Sequence, residues 1–338
     1  MNKKIVVVLL LIIAIVVIAV VYRRSSTFDK NTQGIKQEQL PKFKLSVNSW
    51  VGYAPFYLAK EKDIFKQEGV DVDIVVMDDT AQRKAAMING DVDGLGDTVD
   101  LLVTERDEKV PAVSVMQNDF SNGADGIVAI DSIKTIQDLK GKKIAVQKNF
   151  VSESFLNYVL KKNGLSPSDV IMIDMEAGAA GAAFVAGKVD AAVTFEPWLS
   201  KAKERKNGHV LVSSSDVPGV VVDTLSINET YLKNNQEVVK KVMRSWFKAL
   251  EYYKNNQEES NLIMSKYYKI SPQEFSDMIS GLEWPNLDQN IAYFGKEPGK
   301  GQIFDVANTF ITIFTENKQI KTVPDMSKAI NQRLLLEL

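Results

Sequence analysis

Two stretches of this 338-residue chain repeat one another, and that duplication limits the possible folds more than any other feature. Residues 85–93, Ala-Ala-Met-Ile-Asn-Gly-Asp-Val-Asp, return at 182–190 as Ala-Ala-Phe-Val-Ala-Gly-Lys-Val-Asp, with Gly90 and Gly187 97 residues apart. Lys44-Leu45-Ser46-Val47 returns as Lys143-Ile144-Ala145-Val146 at an offset of 99. Each copy then continues through a helical stretch closing on a glycine, Gly69 or Gly164, into a second apolar run. Such self-similarity means one supersecondary plan used twice. Two similar α/β lobes with a cleft between them suit a small ligand better than a large partner.

Composition removes several chemistries. The chain has no Cys, which excludes thiolate catalysis, disulfides and thiolate-ligated metals. Its single His, His209, sits in a polar Lys-Asn-Gly-His segment and reads as a surface residue, so no catalytic set, metal centre or cofactor is expected. A net charge of −2 gives no reason to expect nucleic acid as a partner. With 45% hydrophobic residues, the chain is long enough for two cores.

The N-terminus departs from that average. Lys3 and Lys4 precede seventeen residues, 5–21, without a polar side chain, and Tyr22, Arg23 and Arg24 follow. A basic head with a long apolar run reads as an export signal or an anchor, near the lower length limit for spanning a bilayer. Arg23 and Arg24 favour retention; cleavage near Ala19 is the alternative and would give a periplasmic or secreted protein. Residues 1–24 are therefore expected to be the signal or anchor, and 25–41 a polar linker.

From residue 43 onward strands and helices alternate. The patterns predict strands at 45–48, 72–77, 92–95 and 112–116, with helices at 55–67, 80–89 (capped by Thr80) and 98–105. The second copy predicts strands at 143–146, 170–173, 191–194, 209–212 and 220–223, and helices at 153–162, 177–186 and 197–205. Helices are expected thereafter at 229–255, 258–266, 272–279, 302–315 and 326–336. The expected fold is α/β, with two similar lobes, each a mostly parallel sheet flanked by helices, joined by a two-strand hinge. Lobe 1 is expected from 42–122 and 222–338, and lobe 2 from 123–221. Paired crossovers of this kind permit closure around a ligand.

In open α/β sheets ligands sit beyond the carboxyl ends of the strands, where helix N-termini present unpaired N–H groups. This rule nominates Ser49, Trp50, Gly52 and Tyr53 in one loop and Asp97 and Thr98 in the next. Trp50 either stacks on a ligand or packs on the lobe's rim, and Thr98 either caps its helix or offers its hydroxyl. The matching loops of lobe 2 supply Asn149 and Ser152, then Glu196 and Trp198. Glu196 either holds a ligand group or serves its own helix dipole. The crossovers add Asn118 and Asp223, with Gln117, Asn122, Gly123 and Asp125 beside them. Gly178, Gly181 and Gly187 lack the spacing of a phosphate loop and read as close helix packing.

These motifs resemble a known family. Ser49-Trp50-Val51-Gly52-Tyr53-Ala54-Pro55 is similar to the opening of solute-binding proteins for nitrate, sulfonate, taurine and thiamine-precursor import. The stretch from Ile133 to Val146 resembles the second-lobe entry of type II periplasmic binding proteins. Gly187-Lys188-Val189-Asp190-Ala191 with Phe195-Glu196-Pro197-Trp198 resembles the family's Gly-x-x-Asp-Ala strand and Glu-Pro turn. The resemblance implies a monomeric extracytoplasmic protein that passes a small molecule to an ABC permease and its ATPase and catalyses nothing. Sulfonate and nitrate binders need donors for an anion, yet Lys148 is the only base in a nominated loop. The Trp and carboxylate content points instead toward a neutral or cationic heteroaromatic of the thiamine-pyrimidine kind. Two alternatives stay open: an enzyme on the same fold acting on a small heteroaromatic metabolite, and the sensing module of a membrane receptor. The family's Cys-dependent enzymes cannot operate without Cys.

Overall fold

The computed structural model describes residues 16–19 and 39–338. Residues 16–19 are helical; the remainder of the apolar run 5–21, and with it the expected anchor and most of the linker, lies outside the described residues. Among the described residues no helix is long and apolar enough to cross a membrane.

Within the unit Pro41–Leu338, the first strand-helix series is β1 (Lys42–Val47), α1 (Ala54–Glu61), α2 (Ile64–Gln67), β2 (Asp71–Val76), α3 (Thr80–Asn89), β3 (Gly94–Thr98), α4 (Val99–Asp107) and β4 (Ala112–Ser121). The second is β5 (Asp125–Ile130), β6 (Lys143–Val146), α5 (Val151–Lys162), β7 (Ile171–Asp174), α6 (Ala177–Val185), β8 (Ala191–Phe195), α7 (Trp198–Lys201) and β9 (Gly208–Ser213). The chain then runs through β10 (Val222–Asn228), α8 (Glu229–Asn234), α9 (Gln236–Asn255), α10 (Gln257–Tyr268), α11 (Pro272–Ile279), β11 (Leu282–Glu283), α12 (Leu287–Phe294), α13 (Gln302–Glu316) and α14 (Arg333–Leu336).

Two sheets result. One has the order β11-β4-β10-β3-β1-β2, the other β7-β6-β8-β5-β9. Strands β2-β1-β3-β10-β4 correspond in order to β7-β6-β8-β5-β9, so the duplication in sequence is a duplication in topology. The expectation of mostly parallel sheets is corrected. Among the strands of the described residues, β1 with β2 and β3, and β6 with β7 and β8, pair in parallel, while β10 and β5 run antiparallel to their neighbours. The cause is the connection: β5 and β10 each enter their sheet directly from the other one, at the end where the parallel strands finish, and must run the opposite way.

Local chemistry explains where the elements end. Asp79, not the expected Thr80, caps α3: its Oδ1 accepts the Gln82 N–H at 2.7 Å, and Gly90 closes the helix in a left-handed turn. The expected 55–67 helix breaks at Asp63, which is itself left-handed (φ 54°). The expected 229–255 helix breaks at Asn235, and 326–336 is not one helix, because the chain there bridges Ser114 through Ile330. The long helix α9 buries Val239, Val242, Met243, Trp246 and Ala249. Trp246 packs on Phe56 with ring centroids 4.5 Å apart, a burial worth about 1.5–3 kcal/mol per large apolar side chain. Phe247, Leu250 and Tyr253 of the same helix are only half-buried.

Candidate functional site

The carboxyl ends of the parallel strands of both sheets face one cleft. Asn48, Ser49, Trp50 and Tyr53 enter it from the β1–α1 loop, Asp97, Thr98 and Leu101 from the β3–α4 junction, and Asp125, Val221 and Asp223 from the crossovers; the second copy supplies Gln147, Phe150, Val151, Glu176 and Phe195. Asp78 stands at its edge. These groups enclose a cavity of about 30 Å³, so the two walls are close together.

The first wall is built around hydrogen bonds. Asn48 Oδ1 accepts the Trp50 N–H at 3.0 Å, which turns the indole inward, and Trp50 Nε1 donates to buried Asp119 at 3.1 Å. Gly52 is required there: a Cβ would lie 2.1 Å from Asp119 Oδ2 and 2.3 Å from Trp50 Nε1. The Tyr53 hydroxyl donates to Asp223, and Gly96 leaves the room its ring needs. Behind them buried Arg83 stands 3.5 Å from Asp97 and donates to the Gly96 carbonyl. Asp97 Oδ1 accepts the Thr98 N–H at 2.9 Å, while the Thr98 hydroxyl makes no capping bond and has no partner.

The second wall is mostly apolar. Phe195 meets Trp50 edge-on, with ring centroids 5.9 Å apart, and Phe150 and Val151 are buried beside it. Glu176 is exposed and turns its oxygens to the Gly178 and Ala179 N–H groups of α6.

Three carboxylates mark the crossovers. Asp119 and Asp223 are direct partners across β4 and β10, and Asp125 begins β5. Burial, reinforced by Asp125 and partly offset by the Trp50 N–H, pushes Asp119 up to about 8. Burial, partly offset by the Ser121 hydroxyl and reinforced by Asp100 and Glu196, pushes Asp125 up to about 7. Asp223 is raised well above the carboxylate range by burial and then by Asp119. Buried carboxyls held near like charges resist ionisation. The two crossovers are joined to one another: Ser121 Oγ and Ser214 Oγ lie 2.7 Å apart, and Ser214 Oγ also accepts the Gly123 N–H at 2.7 Å.

Of the residues nominated from sequence, Ser49, Trp50, Tyr53, Asp97, Thr98, Asp125 and Asp223 line the cleft; Gln117, Asn122 and Gly123 do not, and neither do the six that follow. Gly52 lies behind Trp50, with its carbonyl accepting from Trp284 Nε1 at 2.8 Å. Asn118 is enclosed within β4. Asn149 is exposed, its N–H held by Glu153, and Ser152 is buried in the first turn of α5. Glu196 accepts from the Ser200 N–H and hydroxyl at 3.2 and 2.9 Å, serving its own helix start. Trp198 packs on α6, where a Cβ on Gly181 would lie 2.4 Å from its own. Lys148 is exposed, and among the described residues no Lys or Arg lines the cleft. The sequence reading missed Asp119, Arg83, Phe150 and Phe195.

The family model described as "NMT1/THI5 like" matches residues 50–260. The chain belongs to this family. It is 27% identical over 226 residues to a Bacillus subtilis protein named as a binding protein, YtlA, covering 64% of this chain and 67% of that one. It is 27% identical over 218 residues to the taurine-binding periplasmic protein of Escherichia coli, covering 62% and 67%. An enzyme is also similar: a 4-amino-5-hydroxymethyl-2-methylpyrimidine phosphate synthase of Saccharomyces cerevisiae, 24% identical over 215 residues, covering 59% and 63%. The chain spans about two thirds or less of the length of these relatives. Among solved structures, the periplasmic aliphatic sulphonate binding protein SsuA of Escherichia coli superimposes with a TM-score of 0.72 at 20% identity, covering 88% and 99%. That likeness gives the NMT1/THI5-like chain the α/β periplasmic binding protein fold, two sheets flanked by helices.

Proposed function

We propose that this protein is an extracytoplasmic solute-binding protein that captures a small molecule in the cleft between its sheets and delivers it to an ABC permease and its ATPase. The observation that carries this reading is the convergence of both copies on one cleft, with Trp50 of the first against Phe195 of the second. Residues 42–122 with 222–338 form one lobe and 123–221 the other. The protein works as a monomer, catalyses nothing and is held at the membrane by residues 5–21. Its ligand belongs to the range its relatives are named for, sulfonates, taurine, nitrate or pyrimidine precursors. Ser49, Trp50, Tyr53, Asp97, Thr98 and Asp223 contact it, with Phe150 and Phe195 closing over it.

The test is a titration of the full chain with taurine, an alkanesulfonate, nitrate and an aminopyrimidine, followed by Trp fluorescence and by product analysis. A saturable change without product is expected, and Trp50→Phe should reduce it. Conversion of any of these to product would replace capture with catalysis.

A further inference from the structure

We infer that the cleft binds an organic cation, through an ammonium or amidinium head placed at Asp125 and a flat apolar body placed between Trp50, Phe150 and Phe195. This rests on the capture reading above and narrows it to one charge class.

The first argument is the inventory of charge. Five carboxylate residues line the cleft, Asp78, Asp97, Asp125, Glu176 and Asp223, and among the described residues no basic side chain does. Four of the five are already engaged. Asp78 Oδ1 accepts the Ser49 N–H at 2.7 Å, Asp97 faces Arg83, Glu176 holds the start of α6, and Asp223 takes the Tyr53 hydroxyl. Asp125 keeps an unused acceptor: it is only 8% exposed, it lines the cleft, and although the Ser121 hydroxyl serves its carboxyl, its Oδ2 has no hydrogen-bond partner. The Thr98 hydroxyl, 5% exposed and on the same cleft, is also without a partner. Leaving buried polar atoms unpaired costs free energy, and a donor-bearing cation would satisfy an acceptor of this kind.

The second argument concerns the sites an anion would use. Helix N-termini attract anions. At α4, α5 and α6, though not at α1, those positions are served by the chain's own carboxylates: Asp97 takes the Thr98 N–H, Glu176 takes two N–H groups of α6, and Asp100 and Glu153 occupy the first turns of α4 and α5. An incoming sulfonate or nitrate would meet acceptors where it needs donors. The aromatic rings suit a cation as well, since their faces attract positive charge.

The experiment uses three probes of one shape and different charge on the full chain: benzamidine, benzamide and benzoate, with taurine and nitrate alongside. Calorimetric titration at pH 8 should show benzamidine binding at least about tenfold tighter than benzamide and benzoate, because a charged hydrogen bond in a desolvated site dominates discrimination. Asp125→Asn should remove at least about tenfold of the benzamidine affinity while leaving the thermal midpoint unchanged or raised. Tighter binding of benzoate, taurine or nitrate than of benzamidine would overturn the cation assignment and leave capture standing. Silence from all five would count against both. The comparison of probes on the unaltered chain decides the matter even if Asp125→Asn fails to fold.

Discussion

The two copies share a strand plan and differ in what they bury. In the first, Arg83 of α3 pairs with Asp97 at the end of β3, both about as buried as any side chain in the molecule. The corresponding positions 97 residues on are Ala180 of α6 and Thr194 of β8, where Thr194 Oγ1 donates to the Ala177 carbonyl at 2.8 Å. The first copy holds charge in its interior; the second solves the same junction with a methyl group and a hydroxyl. Duplication has preserved the framework while the chemistry has gathered on one side, so the first wall of the cleft is polar and structured and the second is an apolar cover.

The largest effect should come from breaking that asymmetry directly. Arg83→Ala leaves Asp97 buried and unpaired near Glu105, and should cost about 3–5 kcal/mol in denaturant unfolding. The double variant Arg83→Ala with Asp97→Thr, which copies the second junction, should recover part of the loss. If it recovers none, the two junctions are not equivalent in kind.

The next effect is on pH. Asp125 is faced by Asp100 of α4, Glu196 after β8, Asp119 of β4 and Asp223 of β10, with Arg83 occupied by Asp97. Its folded value, about 7, lies above the ordinary 3.8. A carboxyl raised on folding favours the folded state most when protonated, so its contribution is complete below pH 4 and is lost as pH rises through 7. The loss amounts to at most about 4 kcal/mol. Unliganded protein should therefore melt lower at pH 8 than at pH 5.5, and Asp125→Asn should flatten that slope. A cation bound at Asp125 reverses the sense, since benzamidine should bind more tightly at pH 8 than at pH 5.5. An unchanged melting profile in the variant would place the titration elsewhere.

A smaller contrast tests the two walls by glycine. Gly52→Ala pushes a methyl into Asp119 and Trp50, and should cost about 1–3 kcal/mol together with the indole's position. Gly178→Ala in α6 finds its nearest neighbours at 3.3 to 3.4 Å, the two Glu176 oxygens and Trp198 Nε1, none closer than a slight shift can relieve, and should change stability by less than about 1 kcal/mol of either sign. Equal costs at both sites would mean the second wall is as tightly fitted as the first.

Much of this arrangement is legible in the sequence. The echo at Gly90 and Gly187 locates equivalent turns, both with positive φ, and the strand-end rule names the loops that reach the cleft. Within those loops polarity points to Asn149, Ser152 and Glu196, whereas the cleft is lined by Phe150 and Phe195, because a polar side chain at a helix start can serve the backbone instead of the cleft. Arg83 was visible in principle: with Ala86 and Met87 it shares the buried face of α3, and a charge on such a face asks for a buried partner. Asp119 was not, since nothing local distinguishes it from an ordinary polar residue near a crossover. The direction of β5 and β10 depends on which sheet each strand leaves, which no periodicity records.

The Ser121–Ser214 contact has a mechanical meaning. The two connecting ribbons are tied together by Ser121 Oγ with Ser214 Oγ, by the Gly123 N–H to Ser214 Oγ and by the Ser121 N–H to the Val221 carbonyl, so the proposed closure would have to turn about these bonds. Asp119 and Asp125 lie two and four residues from Ser121, and Asp223 faces Asp119 across the ladder, so a guest held at Asp125 would sit beside the tie between the two ribbons.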